Sequence, residues 1–94
     1  MSASTLTATK EPTSVWLTNN PDDFEFTIKV LNGNPLIVWN ILLQFCRLNS
    51  VNGEIKDYSF VIQKSFTRDV CKLTVNYLKH NDIEVIIPPM EMSA

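Results

Sequence analysis

The chain has 94 residues, 45% of them hydrophobic, a formal charge of -2 and only two glycines, Gly33 and Gly53. This is one small domain with enough apolar matter for a core, and its charge draws it to neither nucleic acid nor an acidic membrane. Phosphate-binding loops are excluded, because they need two or three closely spaced glycines.

Residues 1–14 are half Ser and Thr and bury too little to offset ordering entropy, so they are expected to be a disordered tail. They also lack the apolar core of a secretory leader, and the expected home is cytoplasmic. Val15-Trp16-Leu17-Thr18 is a candidate short edge strand. Asn19 to Asp23 is turn material. Phe24 to Val30 alternates without a fault, with Phe24, Phe26, Ile28 and Val30 facing inward and Glu25, Thr27 and Lys29 facing water. That is a half-buried strand.

Asn34 then caps a helix that opens with Pro35 and runs to Leu48 or Asn49. Ten of its side chains are apolar, and its polar residues Asn40, Gln44 and Arg47 fall within an arc of roughly 60°. A helix so apolar is expected to be covered around most of its circumference, by the sheet and by either a second helix or a second protein chain. Its longest nearly apolar run is shorter than the ~20 residues a membrane span needs.

Tyr58 to Gln63 is aromatic and β-branched, which marks a strand. Val51 to Ile55 could pair with it as a hairpin across Lys56-Asp57, although those are poor residues for a two-residue turn. Thr67 is expected to cap a second helix, with Asp69 in its first turn. In that helix Phe66, Val70, Leu73 and Tyr77 form an apolar line, widened by Cys71, Thr74 and Leu78. Arg68, Lys72, Asn76 and Lys79 lie opposite. The helix ends at His80, and Ile83 to Ile87 follows as a strand stopped by Pro88-Pro89. The stretch from Tyr58 to Ile87 is thus expected to form one compact βαβ unit. Residues 90–94 are expected to be a flexible tail, leaving 15–89 as the domain.

The expected fold is α+β in two layers, a sheet of three to four strands with two helices on one face in the order β-α-(β)-β-α-β. If the hairpin at Val51 to Ile55 forms, the arrangement is ferredoxin-like. The alternative is a winged helix, with Tyr58 to Phe66 as a short helix, Thr67 to His80 as the recognition helix and Ile83 to Ile87 as the wing.

No residue set for catalysis stands out. Asp22, Asp23 and Glu25 sit on a turn and a wet strand face. Cys71 and the single histidine, His80, lie more than two turns apart on opposite sides of one helix, which argues against a thiol nucleophile. Two Cys and one His make three ligands with no close-spaced pair, too few for a structural zinc site. The expectation is a non-enzyme without metal or cofactor, with Cys46 and Cys71 as reduced thiols. It would be a small regulatory or adaptor module that acts through protein contacts and self-associates as a homodimer. Trp39, Leu43, Phe45 and Val75 are the candidate contact residues. The alternative is a small nucleic-acid-binding regulator using Arg68, Lys72, Asn76 and Lys79, whose segment carries four basic residues against the single acid Asp69.

Overall fold

The computed structural model of the chain describes residues 12–88. Its elements are β1 (Ser14–Thr18), β2 (Glu25–Asn32), α1 (Pro35–Asn49), β3 (Gly53–Lys56), β4 (Ser59–Gln63), α2 (Val70–His80) and β5 (Glu84–Ile86). The strands make one five-stranded sheet in the order β3-β4-β2-β1-β5. All neighbours are antiparallel except β1 and β5, which run parallel.

The fold class is α+β, with one strand more than the sequence led us to expect. The strand left out of that count is β1, the candidate edge strand at Val15 to Thr18. It is not at an edge but inside the sheet, with Leu17 opposite Ile28 on one side and Val15 opposite Val85 on the other. Its alternation, with Val15 and Leu17 buried and Trp16 and Thr18 exposed, is too short to say how many neighbours it has. The winged-helix alternative is excluded, because Ser59–Gln63 is a strand of this sheet. Nor is the segment from Tyr58 to Ile87 a unit of adjacent strands. β4 and β5 point the same way but have β2 and β1 between them, so α2 crosses over two strands.

Local chemistry explains most boundaries. The Asn34 Oδ1 accepts the Leu36 N–H at 2.9 Å, and Pro35 takes the first helical position. α1 ends where Ser50 turns left-handed, at φ 55, and the Ser50 and Val51 N–H groups both donate to the Cys46 carbonyl. The cap of α2 is Asp69, whose carboxylate accepts the Lys72 N–H at 3.1 Å. Thr67, the expected cap, is instead bonded to Ser65 through its hydroxyl. Asp69 wins because its carboxylate lies directly ahead of the first helical residue, where an anion also meets the helix dipole. The hairpin at β3 and β4 does form, one residue later than expected. Its turn is Asp57–Tyr58, both at positive φ, with Lys56 opposite Ser59.

One core lies between the sheet and the two helices. Val15, Leu17, Phe26, Ile28, Phe60 and Ile62 rise from the sheet to meet Val38, Trp39, Leu42, Phe45 and Cys46 of α1 and Val70 and Leu78 of α2. Phe24 was expected to join them but is exposed. The Lys64 N–H still donates to its carbonyl, but its ring lies at the end of the ladder and meets Phe66 instead. The expected tails 1–14 and 90–94 lie outside the described residues, save for residues 12–14, of which Ser14 already pairs in β1.

Candidate functional site

The first helix carries the surface of interest. At 100° per residue its buried side chains, Val38, Trp39, Leu42, Phe45 and Cys46, span about 120°. The expected cover around most of the circumference is therefore not there. A two-layer protein has nothing outside its helices, and α2 reaches α1 along one flank only. Leu36 is 69% exposed, Ile37 56%, Leu43 40% and Leu48 66%.

These four residues fall on two flanks. The Phe45 ring packs at a tilt against Tyr77 of α2 with centroids 5.3 Å apart, which sets the side of α1 that faces α2. Ile37, Ile41 and Leu48 follow on that side. Cys46 lies over Gly53 of β3, so the other flank faces the sheet edge. Leu36 and Leu43 follow there. Beyond them β3, an outermost strand, presents Ile55 on the same side of the sheet, 49% exposed. Leu36, Leu43 and Ile55 thus fall on one side of the molecule, where the second helix does not reach.

Of the four contact residues picked from the sequence, only Leu43 is at the surface. Trp39 is buried against Phe60, with ring centroids 5.8 Å apart. Phe45 is buried against Tyr77, and Val75 is half-buried and packs on the core. The periodicity marked these residues as apolar but could not say which would touch the sheet.

The basic set is divided. Lys72, Asn76 and Lys79 are exposed on one face of α2. Arg68 lies outside the helix, because Asp69 is the cap, and donates from a guanidinium nitrogen to the Asn49 carbonyl at 2.8 Å. A cation there meets the negative end of α1.

Two further features escaped the sequence reading. Phe24 and Phe66, both exposed, meet edge-on with centroids 6.4 Å apart. Lys64 backs them, its N–H donating to the Phe24 carbonyl and its ammonium to the Asn20 carbonyl. The pairing is between segments far apart in the chain, and Phe66, expected in the apolar line of the second helix, lies outside it because that helix starts at Val70. On the sheet's open face, a depression of about 290 Å³ lies among Glu25, Asn52, Glu54, Val61 and Gln63.

The thiols are not activated. Burial pushes the Cys46 thiol above its ordinary value, and burial together with the Asp69 carboxylate does the same for Cys71, against smaller opposing effects from Lys64 and Asn19. His80 is exposed at the far end of α2 from Cys71. Among the described residues no three His, Cys, Asp or Glu side chains come together to hold a metal ion. Among those residues, too, no helix is long and apolar enough to cross a membrane.

Protein-family models, curated proteins and solved structures yield no match to this chain. The exposed apolar edge beside β3 is therefore read from its own geometry alone.

Proposed function

We propose that this chain is a small non-catalytic module that works through protein contacts and associates with a second copy of itself along the β3 side of α1. The observation that carries this reading is the joint exposure of Leu36, Leu43 and Ile55 on one side of the molecule. Single exposed aliphatics are ordinary, but several beside the outer edge of a sheet make a contact surface. The architecture suits the role. With β1 set aside, the remaining strands run β5-β2-β4-β3, an order that supports a ferredoxin-like reading with β1 inserted beside β5. Such a frame fixes no function by itself.

Sedimentation of the full chain over a range of micromolar concentrations tests the reading. A dimer is expected, and Leu36→Lys with Leu43→Lys should return it to monomer without changing the far-UV circular dichroism. A wild-type monomer at hundreds of micromolar, with no partner retained in a pull-down, would remove the proposal.

The second reading, nucleic-acid binding, is favoured only by Lys72, Asn76 and Lys79 on one solvent face of α2. It is the weaker one because Arg68 is engaged by Asn49. It requires salt-dependent binding that Lys72→Glu with Lys79→Glu abolishes.

A further inference from the structure

We infer that two copies join through β3, edge to edge and antiparallel, with Ile55 on the two-fold axis, so that the two five-stranded sheets continue as one. This rests on the self-association proposed above and specifies how it occurs.

The backbone comes first. On its inner side β3 pairs Glu54 with Val61 and Lys56 with Ser59, and the Gln63 N–H donates to the Asn52 carbonyl. In an antiparallel ladder, hydrogen-bonded and non-bonded pairs alternate. Residues 52, 54 and 56 therefore direct their N–H and C=O groups to β4, and Gly53 and Ile55 direct theirs outward. Among the described residues β3 is an outermost strand, so these groups face no neighbouring strand there. A second copy related by a two-fold axis through Ile55 would meet them with its own outward groups, Ile55 bonding reciprocally to Ile55.

Charge then selects the register. Glu54 and Lys56 share the open face of the sheet, because they stand opposite Val61 and Ser59, and both are exposed. With the axis at Ile55, Glu54 of each copy faces Lys56 of the other, giving two opposite-charge cross-strand pairs. Moving the axis to residue 54 would set Glu54 against Glu54, and moving it to residue 56 would set Lys56 against Lys56. A slip of one residue in pairing would turn every side chain to the wrong face. Only one register has both the outward backbone groups and opposite charges in place.

The apolar side agrees. Ile55 stands on the helix side, opposite Phe60, and the same axis brings the two Ile55 side chains together there. Leu36 and Leu43 of each copy then flank the seam from above. The other outermost strand fits itself poorly. An axis at Val85 would place Glu84 against Ile86, so no opposite-charge pair forms there.

Sedimentation of four full-length proteins at low salt provides the test: wild type, Glu54→Lys, Lys56→Glu and the double exchange. Each single exchange turns both attractive pairs into repulsive ones, and should weaken the dimer by roughly tenfold or more. The double exchange should restore wild-type affinity within about threefold, because the pairs reform with their signs reversed. Both substitutions are at exposed positions, and circular dichroism verifies the fold. A wild-type dimer that neither single exchange weakens, or that the double exchange fails to restore, overturns strand pairing but leaves self-association standing. A wild-type monomer overturns both.

Discussion

Replacing Gly53 by alanine tests how closely α1 sits on the sheet edge. A Cβ at Gly53 would stand 2.7 Å from the Cys46 Sγ and 2.7 Å from the Phe60 Cε1, with the Phe60 Cζ at 3.4 Å. Neither neighbour can swing clear. Phe60 is fully buried and stacked against Trp39, and Cys46 is buried under the helix. Forcing extra volume into such a site costs about 1–3 kcal/mol. The lost freedom of the unfolded glycine returns about 0.4–1 kcal/mol. A net destabilisation of about 1–2 kcal/mol lowers the midpoint of a domain this size by about 4–16 °C. Thermal unfolding followed by circular dichroism reads it, with urea titration to verify that the m-value is unchanged. Cys46→Ala supplies the internal control. It removes one of the two clashing atoms, so Gly53→Ala should cost less in that background than in the wild type, and the two substitutions should not be additive. A Gly53→Ala midpoint equal to the wild type, or strict additivity with Cys46→Ala, would refute the close approach of helix and strand described here.

Tyr58 sits at φ 65 in the hairpin turn and is exposed, so Tyr58→Gly should stabilise the protein by about 0.5–1 kcal/mol in urea titration. Asp69→Ala should cost about 1 kcal/mol as the loss of a helix cap, whereas Thr67→Ala, away from the cap, should cost clearly less. Burial raises both thiols above the ordinary 9.0, so the folded chain holds their protons where the unfolded chain releases them. The stability this gives is complete below about pH 9 and is lost as pH rises through the raised folded values; denaturation midpoints should fall in that alkaline range, and Cys46→Ala should lessen the fall. For the same reason, alkylation of the native thiols near neutral pH should be much slower than in urea.

What the sequence made legible was local. Asn34, Pro35 and the apolar period that follows define α1 at both ends, because a cap and a 3.6-residue period are written in neighbouring residues. The strand at β2 was legible through its alternation from Phe26 to Val30. What stayed hidden depends on distant partners. Nothing in Ser14–Thr18 announces that β5 will pair on its far side. The hairpin turn escaped because Asp57–Tyr58 lacks the glycine that such turns favour. Phe45 and Trp39 were read as surface candidates because a helical wheel identifies apolar positions but not the thickness of the layer above them. Leu36 and Ile55, which define the exposed edge together with Leu43, carried no separate signal, since exposure is decided by where α2 stops.

The place of β1 also governs how this chain must be made. β1 precedes every other element of the sheet in the chain, yet its outer neighbour, β5, is separated from it by two helices and three strands. Until Glu84–Ile86 has emerged, the Val15 side of the sheet stays open, a template for pairing with any extended peptide nearby. Three residues close that gap, and the Glu84 N–H donating to the Thr13 carbonyl at 2.8 Å makes the first link. A nascent chain halted ahead of Glu84 would carry a raw border in the middle of its intended architecture.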